Sequence, residues 1–134
     1  MSGPLAFLLV AVGGGLGAVA RFWLADTIRT RRTTAMPRGT IAVNVLGSFT
    51  IGLITGLVLT VGADGGLEPW RLFLATGICG GFTTFSTATV ESVTLARGGQ
   101  LWRALANTLG TLVVTVLAVA GGLGLIELLA GGAA

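Results

Sequence analysis

Apolar side chains fill four long stretches of this chain, and the charged residues fall outside them. A helix needs about 20 mostly apolar residues to cross the hydrocarbon core of a bilayer. No charged side chain occurs in residues 1–20, 39–63, 72–90 and 104–126. The pattern therefore predicts one all-α membrane domain over residues 1–134, with transmembrane helices at approximately 4–28, 39–62, 71–96 and 101–129.

The first apolar stretch has an alternative interpretation as a signal peptide, because residues 18–20 (Ala-Val-Ala) are similar to a cleavage site. No basic residue precedes this stretch and it is rich in glycine, which favours a membrane span. We therefore keep it as the first transmembrane helix.

Arginines are distributed unevenly among the predicted loops. Only Arg71 lies between the second and third spans, whereas the first and third loops carry Arg29, Arg31, Arg32, Arg38, Arg97 and Arg103. Loops rich in basic residues remain in the cytoplasm. This bias predicts a multi-pass protein of the cell membrane with both termini outside the cell.

The composition narrows the functional classes. Charged residues make up 10% of the chain, against about 25% in a typical soluble domain. This excludes a soluble globular domain, a disordered tail and a nucleic-acid partner, and makes the lipid bilayer the expected surroundings. His, Lys and Tyr are absent and there is one cysteine, so no nucleophile, general base or metal-ligand cluster is evident. We do not expect an enzyme.

Polar residues follow one face of the second span. Thr40, Asn44, Ser48 and Gly52 recur every four residues, which places them on one ridge of a helix. A primary amide in hydrocarbon is costly unless its hydrogen bonds are satisfied. Asn44 is therefore either an interhelical hydrogen-bonding residue that fixes packing or a donor directed at an anion, and the spacing favours neither.

The fourth span repeats this arrangement with Asn107, Thr111 and Thr115, again four residues apart. Three polar residues on one stripe indicate a polar track. The alternative is that these hydroxyls bond to carbonyls of their own helix and have only a structural role.

The third span should be broken. Residues 77–89 combine glycines with a run of hydroxyls, a poor helix-forming composition. Unwound backbone within a membrane is tolerated only where it is buried in protein or lines a wet cavity, and its carbonyls are natural ligands for a small cation. Phe82 and Phe85 within this run either pack in the core or turn the positive edge of a ring towards an anion.

Two further features concern contacts between helices. Three GxxxG pairs predict close backbone approach; they are Gly13/Gly17, Gly52/Gly56 and Gly77/Gly81. Arg21, near the end of the first span, either extends to the interface or balances a charge on another helix, for which Glu91 is a candidate.

Three segments together resemble the signatures of the Fluc (CrcB) fluoride channel family. They are GGLGAVARF at residues 14–22, GTIAVNVLGSF at 39–49 and GGFTTFST at 80–87. The order of the segments and their positions on the predicted spans also match those of the family. The resemblance covers essentially the whole chain.

The resemblance implies a fold and a function. It implies four transmembrane helices with a broken third helix, and two subunits assembled as an antiparallel, dual-topology-type dimer with two pores along the interface. Fluoride would leave the cell passively, which lowers cytoplasmic fluoride and its toxicity. A structural Na+ would lie at the dimer centre.

The resemblance also implies roles for residues. Backbone carbonyls of Gly80 and Thr83 would bind the Na+. Asn44 corresponds to the pore asparagine and Phe85 to the first phenylalanine of the aromatic box. With the polar positions above, the candidate pore residues are Thr40, Asn44, Ser48, Phe82, Phe85, Asn107, Thr111 and Thr115.

The chain departs from the family pattern at two positions, Ala88 where phenylalanine is common and Asn107 where tyrosine is frequent. The arginine bias is a third departure, because homodimers that insert both ways have nearly balanced loops. We hypothesise one fixed orientation and an oppositely oriented homologue as partner. The alternatives are a non-conducting or half-conducting partner subunit and a small multidrug exporter, although the exporter requires a carboxylate within the membrane and the first span offers only Asp26 near its end.

Overall fold

The computed structural model describes residues 2–31, 36–62 and 65–131, and every regular element within these ranges is a helix. Arg32, counted above among the loop arginines, lies outside the described residues. The first two helices are α1 (Gly3–Arg31) and α2 (Arg38–Val61). A continuous helical stretch follows, here called α3, which consists of Glu68–Trp70, a π-helical Arg71–Cys79 and Gly80–Phe82. The last two helices are α4 (Ser86–Arg97) and α5 (Leu101–Gly131).

Three of these helices, α1, α2 and α5, are long and apolar enough to cross a membrane. They correspond to the first, second and fourth predicted spans, with ends that differ by at most three residues from the prediction. The third predicted span corresponds to α3 and α4, which are separated by the non-helical residues 83–85. The chain is an all-α membrane protein.

Glycines mark the places where helices meet. A Cβ atom on Gly17 would overlap the Ile78 carbonyl oxygen, and one on Gly81 would overlap the backbone of Gly14. Between α2 and α5, a Cβ atom on Gly52 would overlap the Val119 carbonyl oxygen. The predicted close approach of backbones at the GxxxG pairs is thus present where α1 crosses α3 and where α2 crosses α5.

The break in the third span is shorter than expected. We predicted unwinding within residues 77–89, but the glycine-rich part from Gly77 to Phe82 is helical. The physical reason is packing, because Gly77 and Gly81 lie against the backbone of α1, and such contacts outweigh a weak intrinsic helix propensity. Only residues 83–85 leave the helix, beginning with an extended Thr83.

Most large apolar side chains face outward. Within the single chain only Val43, Cys79 and Ala104 are buried apolar residues among those described, as expected where the surrounding medium is itself apolar. The ends of α1 and α4 and the beginnings of α2 and α5 lie together, and we call this the arginine-rich end. It carries Arg29, Arg31, Arg38, Arg97 and Arg103.

Candidate anion pathway and cation site

Asn44 is anchored to the break. Its side chain is 7% exposed, and Nδ2 donates to the Thr84 carbonyl at 2.9 Å. In return, the Thr84 amide donates to Asn44 Oδ1 at 2.7 Å. Both ends of the Asn44 amide therefore bind backbone groups of the unwound segment, which satisfies polar groups that are costly to leave unpaired in hydrocarbon.

These hydrogen bonds explain where the helix opens. In an α-helix, each amide donates to the carbonyl four residues earlier. The Thr84 amide would donate to Gly80 but is taken by Asn44. The Thr87 amide would donate to Thr83 but donates instead to Thr84 Oγ1 at 3.2 Å. Gly80 and Thr83, the two predicted cation ligands, are thus among the residues at the break whose carbonyls lose their α-helical donors.

The surroundings of the two carbonyl residues differ. Gly80 lies on the outside of the chain, and a Cβ atom there would meet no atom within 4 Å. Thr83 is half-buried, and its hydroxyl donates back to the Cys79 carbonyl at 3.0 Å. No group of three or more His, Cys, Asp or Glu side chains occurs within residues 2–31, 36–62 and 65–131. The chemistry available for a cation at this place is therefore that of neutral carbonyl oxygens.

Arg21 also binds at the break, and its suggested pairing with Glu91 is wrong. Arg21 Nε donates to the Gly81 carbonyl at 3.2 Å, and the Glu91 carboxylate accepts a hydrogen bond from Thr40 Oγ1 at 2.7 Å. The physical reason is that the last carbonyls of α3 lack helical partners and form the negative end of the helix dipole. Arg21 satisfies one of them.

A cavity of about 490 Å³ joins the arginine-rich end to the break. Its lining includes Arg38 at the start of α2 and Thr84 in the break, together with Arg21, Thr40 and Glu91. Charges of both signs line the cavity, and the second Glu91 oxygen, Oε2, is buried without a hydrogen-bonding partner. Thr40 and Thr84 therefore face one cavity, whereas Asn44, which binds Thr84, is not part of its lining.

The polar residues of the fourth span form a separate group on α5. Asn107 is 2% exposed and its Nδ2 donates to Ser92 Oγ on α4 at 2.8 Å. The Thr111 hydroxyl is buried and has no hydrogen-bonding partner, whereas Thr115 Oγ1 donates to the Thr111 carbonyl at 2.7 Å. Thr115 thus follows the structural alternative for this track, in which a hydroxyl bonds to a carbonyl of its own helix.

The remaining candidates differ in exposure. Ser48 is half-buried, one turn after Asn44. The Phe82 ring packs beside Gly47 of α2, as the core-packing interpretation expects. Phe85 points away from the chain and is 86% exposed. The structure of one chain therefore does not unite the phenylalanines and the α5 track with Asn44 in a single site.

Sequence reasoning missed three contributors. Thr84 supplies the backbone and hydroxyl groups that hold the break, but it was only one of several hydroxyls in a run. Ser92 and Thr108 meet across α4 and α5, with Thr108 Oγ1 donating to Ser92 Oγ at 3.0 Å. The spacing along a single helix cannot reveal a contact between two helices.

Known proteins resemble this chain along most of its length. The family described as "CrcB-like protein, Camphor Resistance (CrcB)" matches residues 8–123. A "Fluoride-specific ion channel FluC 1" from Leifsonia xyli is 48% identical over 91% of this chain and 85% of its own length. A "Fluoride-specific ion channel FluC" from Pyrococcus horikoshii is 42% identical over 83% of this chain and 87% of its own. A "Fluoride-specific ion channel FluC 2" from Nitrobacter hamburgensis is 38% identical over 90% and 96%. The chain belongs to the CrcB-like protein family.

Proposed function

We propose that this protein is a fluoride-specific ion channel that exports fluoride passively across the cell membrane and so lowers cytoplasmic fluoride. The observation that carries the proposal is the set of relatives named as fluoride-specific ion channels, which align with more than four-fifths of this chain. Ion conduction is transport and not catalysis, so the protein is not an enzyme. Neither the multidrug exporter nor the non-conducting subunit is favoured by these names.

In the proposed channel, α3 and α4 act together as the third of four spans. The 12 residues of α4 span about 18 Å along the helix axis, and the 15 residues of α3 span about 22 Å. Their sum exceeds the hydrocarbon thickness of about 30 Å. The break then lies inside the membrane, where unwound backbone requires internal partners such as Asn44.

Fluoride is small and strongly hydrated, so its pore must supply hydrogen-bond donors that replace water without binding the ion too tightly. The hydroxyls of Ser48 and Thr111 are neutral donors of this kind. Thr40 and Thr115 now donate to the Glu91 carboxylate and the Thr111 carbonyl, so their hydroxyls would have to leave these acceptors to bind the anion. A fixed cation would attract the anion by about 4 kcal/mol at 4 Å and an effective dielectric of about 20. Neutral donors avoid this trap and allow passage.

The other candidate residues complete the pathway. Asn44 holds the break in its open form, and Asn107 orients hydroxyls at the α4–α5 contact. Phe82 and Phe85 would offer ring edges to the anion, with the outward-facing Phe85 contributing to a pathway shared with a second subunit. An antiparallel dimer would supply that subunit and would cover the exposed Phe85 ring.

A structural Na+ fits the carbonyls at the break. The supporting observation is that Gly80 and Thr83 lose their α-helical donors through the bonds to Asn44 and Thr84. Oxygen ligands suit small hard cations. Two such carbonyls from each of two subunits would provide four ligands, so the ion would join the subunits and offset the carbonyl dipoles.

Removal of Na+ tests this cation site. Replacing Na+ by the bulky cation N-methyl-D-glucamine is expected to lower fluoride efflux from liposomes by about tenfold or more and to lower the melting temperature in detergent. The reason is that an ion bound only by the native assembly stabilises it by mass action. Efflux and melting temperature that are the same in both cations would rule out the carbonyl site, and a chloride-matched titration of Na+ controls for ionic strength.

We further propose one fixed orientation, with the arginine-rich end in the cytoplasm and both termini outside. Five of the described loop arginines lie at that end and only Arg71 lies at the other. A uniform orientation cannot yield an antiparallel homodimer, so the partner would be a homologue inserted the opposite way.

Fluoride efflux from liposomes tests the function and the partner together. Vesicles loaded with fluoride and containing this chain with an oppositely oriented homologue are expected to release it, as read by a fluoride electrode, while chloride is retained. The chain alone should release little. Rapid efflux from the chain alone, with both orientations detected by labelling of terminal tags, would overturn the fixed-orientation hypothesis. Fluoride retained in every combination would overturn the function itself.

A further inference from the structure

We propose that Ser92 of α4 and Thr108 of α5 form an additional anion-binding site, which replaces part of the hydration shell of fluoride before the ion reaches the α5 track. Asn107 orients this hydroxyl pair. The inference rests on the proposed function and adds two residues and one step to its pathway.

Counting protons shows that the pair always has a donor to spare. A serine or threonine hydroxyl provides one donor and two acceptor lone pairs. Ser92 Oγ accepts from Asn107 Nδ2 at 2.8 Å and shares a hydrogen bond with Thr108 Oγ1 at 3.0 Å. Thr108 donates this hydrogen bond, so its proton is already used. The Ser92 proton remains for a ligand.

Asn107 determines how this donor is presented. Its Nδ2 donates to Ser92 Oγ at 2.8 Å and to the Ala88 carbonyl at 3.4 Å, so the amide ties α5 to α4. It is 2% exposed, and its Oδ1 is buried without a hydrogen-bonding partner. A buried amide oxygen without a partner calls for a donor such as water. The site therefore suits an anion that still carries part of its water shell.

The pair lies close to the arginine-rich end, outside the cavity described above. Thr108 is seven residues after Leu101, the first residue of α5, and Ser92 is five residues before Arg97, the last residue of α4. At about 1.5 Å per residue, both lie about 8–10 Å from that end. The next polar side chain along α5 is Thr111, whose buried hydroxyl has no partner. The hydroxyl pair is therefore well placed to pass an anion on to Thr111.

The chemistry selects a small anion. Ser92, which keeps the spare proton, is half-buried, and its partner Thr108 is exposed on the single chain. A neutral hydroxyl binds an anion without trapping it, and its short contact distance favours the smallest halide.

Removal of both hydroxyls tests the proposal in the conducting assembly. The double variant Ser92→Ala/Thr108→Val removes both protons of the pair, and it is expected to slow fluoride efflux from liposomes at least about tenfold, equivalent to about 1.4 kcal/mol. Either single variant leaves one hydroxyl whose proton is free for the anion, so its effect should be smaller. Thr108→Ser retains the proton and should conduct within about twofold of the wild type. Thr50→Val is the matched control, since the Thr50 hydroxyl is exposed and bonds to its own helix at the Leu46 carbonyl.

The outcomes separate this proposal from the general function. Loss in the double variant Ser92→Ala/Thr108→Val with near wild-type conduction in Thr108→Ser, at unchanged gel-filtration profile, supports the hydroxyl site. Conduction by the wild type together with unimpaired conduction by the double variant overturns the site and leaves the channel function standing. Equal loss in the double variant and in Thr108→Ser also overturns it, because shape and not the proton would then matter. A wild type that does not conduct rejects both.

Discussion

Fluoride efflux is expected to fall at least about a hundredfold when Asn44 is replaced by alanine, equivalent to about 2.7 kcal/mol. Without its side chain, the Thr84 amide is free to donate to the Gly80 carbonyl and to continue α3 as an ordinary helix. The break would then shorten and one proposed cation ligand would be lost. Asn44→Asp should be equally inactive, because a carboxylate cannot donate to the Thr84 carbonyl and would repel an anion. Efflux from liposomes, normalised to reconstituted protein, provides the measurement.

A control on the same helix distinguishes this effect from general damage. Thr50→Val removes an exposed hydroxyl that bonds only within α2 and should conduct like the wild type. Stability should fall by about 1–3 kcal/mol in Asn44→Ala if the Thr84 groups stay unsatisfied, and by less if the helix closes. Undiminished efflux in both Asn44 variants would show that the break functions without this anchor.

The second large effect is expected on folding and not on conduction. Gly17→Ala places a methyl group against the Ile78 carbonyl and the Phe82 amide, which are backbone atoms that cannot turn aside. The helices α1 and α3 must separate, which also pulls Arg21 away from Gly81. Overpacking of this kind costs about 1–3 kcal/mol for side chains, and contact with rigid backbone should cost more. We expect little monodisperse protein and a clearly lower melting temperature.

Gly15→Ala is the matched control for Gly17→Ala. Gly15 lies in the same helix, two residues earlier, and a Cβ atom there meets nothing within 4 Å. Its replacement by alanine should leave the protein unchanged or stabilise the helix by about 0.5–1 kcal/mol. If both variants behave alike, the close crossing of α1 and α3 does not limit stability.

The helices were predictable because the lipid environment imposes a simple rule on sequence. Uncharged runs located α1, α2 and α5 to within a few residues. The run of hydroxyls and glycines indicated a break in the third span. The position of the break at residues 83–85 depends on contacts with other helices, which the run does not show. Packing against α1 keeps residues 77–82 helical. The Thr84 amide donates to Asn44 of α2 in place of the carbonyl within its own helix.

The site was less predictable for the same reason. The four-residue spacing identified Asn44 and Asn107 as residues of interest but left their partners open. Asn44 binds the break, and Asn107 binds Ser92 on α4. For Arg21 the sequence left open extension to the interface or pairing with a charge such as Glu91, whereas it binds the Gly81 carbonyl. Each miss concerns a partner that is distant in sequence, which periodicity along one helix does not encode.

The bonds that hold the break open all lie within one chain. Asn44, Arg21 and Thr84 complete them without help from a neighbour. The carbonyl groups of each protomer are therefore already ordered before a second subunit binds. The loss of conformational entropy that this ordering requires occurs during folding and not during association. Docking of a second subunit would then proceed largely as a rigid-body event, and a lone protomer should already contain the shape that its counterpart recognises.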